Sequence, residues 1–324
     1  MTQASAPEQP GASSASRPAP ARVVSLIASS TEIVCALGCG DRLVGRSHEC
    51  DYPPEVAALP KLTRARLDTA EPSGEIDRAV REILTDALAV YDIDAEALRA
   101  LRPDLIVTQD LCEVCAVSLS DVEAAVCDWI GTDTDLVSLK PSRLEHVWSD
   151  IRRVAASLGE PLRGEALVEH LQGRLRRLEE RLSARKRPTV GCIEWLDPIM
   201  DAGNWMPEVV AAAGGQDVLS EPGAHSGYLD WARLQAVDPT VLIMLPCGFD
   251  LERTRQEMTV LDEDPRWQAL TAVQSGEVYV TDGNQFFNRP GPRLVESAEL
   301  LAEILHPQIV EPKHQGSAWA RYMG

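Results

Sequence analysis

Short apolar runs alternate with amphipathic segments along most of the chain. The apolar runs, rich in Val, Ile and Leu, lie at 22–27, 42–46, 104–108, 136–139, 189–193, 240–245 and 277–280. Between them, apolar residues recur at helical spacing, most clearly at 74–101, 207–213 and 292–305. Buried strands that alternate with amphipathic helices are typical of an α/β fold, in which helices cover a mainly parallel sheet.

The first predicted strand leads directly into a predicted helix. Ser29 and Glu32 follow the run at 22–27 at the spacing of a capping box, and Gly38 ends the apolar periodicity. A helix that begins at the end of a strand directs its free backbone amides towards whatever lies there. We therefore expect the loops that follow the strands to carry the functional residues.

Residues 142–187 interrupt the alternation. Apolar residues recur at helical spacing from Leu144 to Leu182 without a strand pattern, and the break at 159–161 need not turn the helix far. This pattern predicts a long helical spine that joins two Rossmann-like α/β lobes, with a ligand cleft between them. The predicted organisation is a disordered leader at 1–21, an N-terminal lobe at 22–140, the spine at 141–187, a C-terminal lobe at 188–306 and a tail at 307–324.

A weak internal repeat supports the two related lobes. Residues 96–107 and 230–243 each follow the order amphipathic helix, Pro/Asp stop and buried strand. Ligands of open α/β sheets bind outside the carboxyl ends of the strands, so the loops of two facing lobes should meet in one cleft. We expect few direct contacts across that cleft and only a small closing movement about the spine.

The amino-acid composition disfavours some classes of binding partner. The chain has 50 Asp and Glu against 31 Lys and Arg, a net charge of -19, which disfavours nucleic acid because its phosphates are bound largely through Lys and Arg. No run of about 18 apolar residues predicts a membrane span. Residues 2–20 lack a basic segment and an apolar core, so we expect a cytoplasmic protein rather than an exported one.

Five segments of the chain carry a resemblance to a known protein family. They are the opening RVVSLIASSTEIVCALGCGDRLVG, the strands LRPDLIV and DPTVLIMLPCG, the helix after LKPSRLEHVWSDI and the ending NRPGPRLVE. Over residues 22–305 the chain resembles the class III periplasmic-type substrate-binding proteins, most closely their cobalamin-binding branch. The resemblance implies a binding protein for a corrinoid or a related tetrapyrrole or metal chelate. The insertion at 63–93 and the motifs HECDYP, QDLCEVCA and PCGF depart from exported members and resemble a cytosolic offshoot.

The resemblance also bears on partners. Members that feed an ABC permease dock through one acidic residue on each lobe, and by motif position Glu96 and Asp230 would fill those places. Each residue also stands at the start of a predicted helix, where a negative charge is stabilising. Because the sequence shows no export signal, we expect the helix role and no docking to a permease.

The predicted cleft loops contain most of the few aromatic residues. The candidate ligand-binding residues are Tyr52, Glu194, Trp195, Trp205, Phe249, Phe286, Phe287 and Arg289. Aromatic rings can line the walls around a flat macrocycle, or each can simply anchor its own loop. Arg289 can bind an anionic group or brace the turn before the last helix. Glu194 fits no acid/base template.

The eight cysteines leave a second function open. In a reducing compartment, metal binding, redox chemistry or burial is expected rather than structural disulfides. Five candidate metal ligands fall in predicted loops: His48, Cys50, Cys112, Cys115 and Cys247. Thiolates select zinc or iron–sulfur clusters, so the alternative is a metal or iron–sulfur cofactor protein with or without enzymatic activity. Hydrolase, kinase and zincin motifs are absent from the sequence.

Overall fold

The N-terminal lobe is built on a parallel sheet. The computed structural model describes residues 19–85, 90–109 and 134–324. The sheet has the order β2-β1-β5-β6, formed by β1 (Val23–Ser25), β2 (Leu43–Arg46), β5 (Leu105–Gln109) and β6 (Asp135–Leu139). All three pairings are parallel, as the short apolar runs predicted.

The insertion adds a small ribbon to this lobe. Strands β3 (Thr63–Ala65) and β4 (Tyr91–Ile93) pair antiparallel. The helices described in the lobe are α1 (Ala28–Ala36), α2 (Ser73–Thr85) and α3 (Ala95–Leu101). The continuous helical periodicity predicted over 74–101 is therefore wrong, since β4 separates two helices.

The capping box predicted at Ser29 is absent from the first helix. Helix α1 begins at Ala28 after Ile27, and no side chain caps it. The hydroxyl groups form a buried chain instead: Thr31 donates to Ser25 at 2.6 Å, and the Oγ atoms of Ser25 and Ser30 lie 2.6 Å apart. Burial turns these side chains inward, where hydroxyl groups must find one another.

Two helices replace the single predicted spine. Helix α4 (Leu144–Ser157) is followed by Gly159, whose φ of 75° is left-handed, and α5 (Pro161–Leu182) begins two residues after this glycine. The helices pack on each other, since a Cβ added at Gly164 would lie 2.5 Å from Ala155 Cβ. A left-handed glycine followed by a proline ends one helix and starts another, so the break at 159–161 turns the chain.

The C-terminal lobe is a mixed sheet with the order β12-β11-β10-β7-β8, and β9 lies beside β7. Its strands are β7 (Thr189–Leu196), β8 (Ile199–Asp201), β9 (Gln216–Asp217), β10 (Val241–Met244), β11 (Val278–Thr281) and β12 (Trp319–Arg321). The pairings of β7 with β9 and β10 and of β10 with β11 are parallel, whereas β8 and β12 run antiparallel to their neighbours. Two predictions fail here: 194–201 is mostly a β-hairpin rather than a loop, and the tail at 307–324 contributes β12 to the sheet.

Short helices cover the C-terminal sheet. They are α6 (Met206–Ala212), α7 (Trp231–Val237), α8 (Leu251–Glu257), α9 (Thr259–Asp262), α10 (Pro265–Gln268), α11 (Thr271–Gln274) and the longer α12 (Leu294–Leu305). One hydrophobic cluster joins the two lobes through buried residues of β1, α4, α5, β7 and α12, among them Val23, Ile151, Val168, Val190 and Leu301. The lobes therefore share a core along the side where α4 and α5 lie. Within the described ranges, no helix has the length and apolar character to cross a membrane.

The internal repeat has a structural counterpart in each lobe. Helices α3 and α7 both have seven residues and begin after an aspartate cap, Asp94 and Asp230, and both end at a left-handed residue, Arg102 and Asp238. Each then leads into a buried central strand, β5 or β10. The counterpart of Asp230 is thus Asp94, whereas Glu96 lies in the first turn of α3.

Candidate ligand site between the lobes

A cluster of buried charges joins the two lobes where their strands end. Arg289, just before α12, donates from Nη1 to Glu32 Oε1 of α1 at 3.2 Å and to Asp51 Oδ1 at 2.6 Å. Its Nη2 donates to Asp51 Oδ2 at 3.1 Å, so the guanidinium forms a bidentate pair with that carboxylate. Arg293 Nη1 also donates to Glu32 Oε1 at 3.4 Å. Glu32 and both arginines are buried.

Backbone-directed hydrogen bonds hold this C-terminal segment in place. The side-chain amide of Asn288 donates to the carbonyl oxygens of Leu245 and Gly283, at 2.9 and 2.8 Å. Asn284 donates to Asp51 Oδ2 at 3.1 Å and accepts from Arg289 at the same distance. The loop after β11 is thereby tied both to β10 and to the other lobe.

Burial and charge act in opposite directions on the carboxylates of the cluster. Burial raises the pKa of Glu32 from 4.5 to about 7, although Arg293 and Arg289 lower it, and its Oε2 has no hydrogen-bond partner among the described residues. Burial also pushes the pKa of Asp51 upwards, but the bonds from Arg289 and Asn284 outweigh it and leave that pKa below its usual value. Glu32 is therefore the carboxylate of the cluster whose ionised form is less well stabilised.

Glu32 should make stability depend on pH. Because its pKa is higher in the folded protein, the folded state holds more protons than the unfolded chain between pH 4.5 and about 7. Glu32 thus contributes stability at low pH and loses that contribution as the pH rises through about 7. We expect the stability of Glu32→Gln relative to the wild type to increase from about pH 5 to about pH 8, as measured by urea unfolding. A difference that stays level across this range would contradict the assignment.

Aromatic rings lie on both sides of the cluster. The Arg293 guanidinium sits 3.9 Å from the ring centre of Tyr52, in the N-terminal lobe, and 4.6 Å from that of Phe286, in the C-terminal lobe. Trp195 and Phe249 of the C-terminal lobe have ring centres 5.3 Å apart, and the Phe249 carbonyl accepts from the Asn284 amide at 3.0 Å. The strand ends of the two lobes therefore bring aromatic and cationic side chains together.

The comparisons with known proteins agree with this architecture. The family profile described as periplasmic binding protein matches residues 23–284. The chain belongs to the periplasmic binding protein family. The lobes, the strand-end loops and the shared core described above are therefore those of a periplasmic binding protein, and the class III fold predicted from the sequence is confirmed.

Relatives of this periplasmic binding protein are distant but extend over most of its length. An uncharacterized ABC transporter substrate-binding lipoprotein, YvrC of Bacillus subtilis, is 23% identical over 89% of this chain and 81% of its own. The vitamin B12-binding protein of Vibrio cholerae is 22% identical over 89% of this chain and 91% of its own.

Solved structures of the family show the same fold. A periplasmic heme binding protein from Pseudomonas aeruginosa superposes with a TM-score of 0.67, at 22% identity over 90% of this chain and 94% of its own. The periplasmic vitamin B12 binding protein BtuF of Vibrio cholerae gives 0.62, at 21% identity over 88% of this chain and 96% of its own. At this level of identity the likeness establishes the fold.

The aromatic candidates of this periplasmic binding protein separate into two groups. Tyr52, Trp195 and Phe286 retain exposed surface between the lobes, whereas Trp205, Phe287 and Phe249 are only 6%, 1% and 3% exposed, and Phe249 lies under the Arg253 guanidinium. Trp205 Nε1 donates to the Phe287 carbonyl at 2.7 Å, so these two rings anchor their loops. The prediction that they line the cleft is wrong, because a side chain sealed in the core has no face for a ligand.

The polar candidates have structural partners. Glu194 accepts a hydrogen bond from Ser226 Oγ at 2.7 Å. Arg289 is held in the interlobe cluster, and its role there braces the lobes against each other. Asp51, Asn284 and Arg293 belong to the same cluster but were absent from the sequence-based candidates. The second arginine of RPGPR was a signal for Arg293, whereas Asp51 and Asn284 carry no local pattern.

The predicted metal ligands do not gather in the part of the chain described by the structure. No group of three or more His, Cys, Asp or Glu suited to a metal occurs there. Cys50 is buried with its Sγ 3.0 Å from Thr31 Oγ1, and burial raises the pKa of its thiol to about 11. His48 Nδ1 lies 2.7 Å from Thr63 Oγ1. His48, Cys50 and Cys247 therefore form no metal site by themselves within the described residues, and the five-ligand site that also needs Cys112 and Cys115 stays a prediction.

The C-x-x-C cysteines and the two candidate docking residues are four further predicted positions. Cys112 and Cys115 lie outside the described residues, so the C-x-x-C prediction stays a prediction. Glu96 and Asp230 are both exposed, and Asp230 caps α7 by accepting from the Ala232 amide at 3.0 Å. The helix role expected for Asp230 is therefore present in the structure.

The expectation of few contacts across the cleft is wrong. Besides the charge cluster, Trp195 Nε1 donates to the Ser73 carbonyl at 3.2 Å, and Tyr228 donates to Asp77 at 2.9 Å. Trp195 and Tyr228 belong to the C-terminal lobe, and their partners belong to the insertion of the other lobe. The insertion crosses the cleft, which nothing in its own apolar pattern indicated.

Proposed function

We propose that this protein binds a corrinoid or a related tetrapyrrole between its lobes. The observation that carries the proposal is that Tyr52 of the N-terminal lobe and Phe286 of the C-terminal lobe flank the same Arg293 guanidinium, while Trp195 stays partly exposed at a strand end of the C-terminal lobe. A flat macrocycle buries a large apolar area against such rings, and surrounding polar groups orient its side chains.

The polar surroundings suit the rim of such a ligand. Asp51 keeps 45% of its side chain exposed beside Asn284, so both acceptors and donors remain near the rings. Arginines lie over Tyr52 and Phe249, where they can pair with acidic groups on a macrocycle. Relatives named for vitamin B12 and heme binding support a ligand of this class.

Titration with cobalamin, cobinamide and haemin tests the proposal. We expect saturable binding of at least one of them, with a heat of binding in calorimetry and a shifted absorbance spectrum. Cobalamin or cobinamide binding would identify a corrinoid site, and preference for haemin a porphyrin site. Absence of both signals for all three compounds at about 100 µM, where even weak sites are occupied, would overturn the proposal.

Trp195 should carry much of the affinity. Replacing it with alanine removes a large apolar wall, and we expect binding to weaken by about 2 kcal/mol, or about 30-fold in Kd. Trp231→Ala is a matched control, because Trp231 lies on α7 under Arg266 and outside the interlobe site. Equal affinity of Trp195→Ala and wild type would remove Trp195 from the site.

A further inference from the structure

Residues 66–85, which we term the strap, leave the N-terminal lobe and cross to the other lobe. The strap follows β3, and its first residue is bound to the residue before β4, because the Arg66 amide donates to the Val90 carbonyl at 2.9 Å. It contains helix α2 and belongs to the segment 63–93, an insertion predicted from the sequence. The side of the strap that faces the C-terminal lobe contacts β7, the β7–β8 turn and α8.

Ser73 is the central attachment point of the strap. It is fully buried, its amide donates to Glu257 Oε1 of α8 at 2.6 Å, and its carbonyl accepts from Trp195 Nε1 at 3.2 Å. Both bonds join the N-terminus of α2 to the C-terminal lobe. One of the two partners, Trp195, is the wall residue of the proposed ligand site.

Arg253 fastens the segment before α2. Its guanidinium donates to the backbone carbonyls of Thr69, at 2.9 Å, and Glu71, and it lies 4.1 Å from the ring centre of Phe249. The strap therefore contacts Trp195 directly and Phe249 through Arg253. The two bonds from Arg253 are exposed to solvent, and segments held by exposed hydrogen bonds open at a low free-energy cost.

Gly74 lets the strap sit flush on the β7–β8 turn. A Cβ added there would lie 2.5 Å from Asp197 Oδ2 and 3.8 Å from Asp197 Cβ. A larger side chain there would require the Asp197 carboxylate to move. Beside the contact lie two surface cavities of about 440 and 380 Å³, both lined by Arg81, Asp197 and Pro198.

We propose that the strap gates the interlobe site: it docks across Trp195 and Phe249, and a ligand reaches these rings only after the strap leaves the C-terminal lobe. The position of the ligand rests on the proposed function. The gate itself rests on the attachments of Ser73, Arg253 and Gly74. None of the residues in the ion cluster at Arg289 belongs to the strap, so the strap can open while the lobes stay joined.

A reversible cross-link tests the gate. The Cβ–Cβ separation of 3.8 Å for residues 74 and 197 matches the usual value for a disulfide. We expect oxidised Gly74→Cys/Asp197→Cys to bind the tetrapyrrole at least about tenfold more slowly than the reduced form in stopped-flow absorbance. Reduction with dithiothreitol should restore the rate. Each single variant, treated with the same oxidant, controls for the native cysteines, and non-reducing electrophoresis reports formation of the cross-link.

The outcomes separate the gate from the ligand assignment. Equal association rates with and without the cross-link would overturn the gate and leave the proposed function intact. If no tetrapyrrole binds the wild type, the proposed function fails, and hydrogen exchange then decides the gate. We expect amides at 73–83 to exchange faster than those of α4 and α5, and to slow on cross-linking. Exchange as slow as in those core helices would overturn it.

A second variant covers failure of the cross-link to form. Tyr228 is 57% exposed, and its hydroxyl donates to Asp77 of the strap at 2.9 Å. Tyr228→Phe removes this attachment without changing the core. We expect faster exchange of the strap amides in this variant, and exchange no faster than in the wild type would count against the gate.

Discussion

Arg289→Ala is expected to lower the free energy of unfolding by about 3–5 kcal/mol, the usual cost of removing one partner from a buried ion pair. Arg289 is the donor that Glu32 and Asp51 share across the interface. Its removal leaves Glu32 buried with only the longer contact to Arg293, at 3.4 Å. The effect should appear in urea unfolding at about pH 8, where Glu32 is ionised.

Arg321→Ala provides the matched control for this loss. Arg321 pairs with Glu277 at 2.8 Å, and the two side chains are 44% and 39% exposed. An exposed pair of this kind contributes at most about 1 kcal/mol, because water and salt screen it. If Arg289→Ala cost no more than this control, the interlobe cluster would have no particular role in stability.

Gly283→Ala is expected to disrupt the same interface through the backbone. An added Cβ would lie 2.8 Å from the Leu245 carbonyl carbon and oxygen and would also meet the Pro246 carbonyl oxygen. These are backbone atoms of the neighbouring strand end, so the loop after β11 must move. We expect a loss of about 1–3 kcal/mol in stability, as for overpacked cores. Because that loop carries Asn284 and Arg289, tetrapyrrole binding should weaken as well.

Gly227→Ala controls for the general effect of adding a methyl group to a glycine. An added Cβ there meets nothing within 4 Å. Urea unfolding and cobalamin or haemin titration of the two variants, side by side, therefore isolate the steric conflict at Gly283. Similar stabilities for the two variants would show that the loop after β11 adapts without loss.

The interlobe contacts also change how ligand binding should proceed. Charged side chains hold the lobes together at the Arg289 cluster, and the strap crosses between the lobes at Trp195. The proposed gate therefore predicts that a ligand gains access by local opening rather than by a wide separation of lobes that share a core. The shared cluster through α4 and α5 favours the same conclusion, since packed apolar cores resist deformation.

Local patterns in the sequence predicted seven of the strands and the α/β fold class. The apolar runs became β1, β2, β5, β6, β7, β10 and β11, because a strand covered on both faces must be apolar throughout. Gly38 ends the first helix region with a φ of 72°, as a C-terminal glycine does. The repeat of helix, stop and strand also holds, down to an aspartate cap in each lobe.

The errors in the predicted elements occur where a segment's own pattern of polar and apolar residues is ambiguous. Residues 91–93 and 194–196 carry mixed polar and apolar side chains, and they became strands only because a neighbouring strand was available to pair with. The tail acquired β12 for the same reason. Pairing partners that are distant in sequence leave no periodicity in the segment itself.

By itself, the sequence determined two α/β lobes, their helical connection and the placement of the candidate loops at strand ends, since each depends on local apolar spacing. Only the tertiary structure decided which of those loop residues remain accessible. Trp205 and Phe287 are sealed in the core, whereas Trp195 stays at the interface under Ser73. The partnership of Glu32 with Arg289 spans 257 positions, and such a pairing is decided by how the lobes pack rather than by either neighbourhood in the chain.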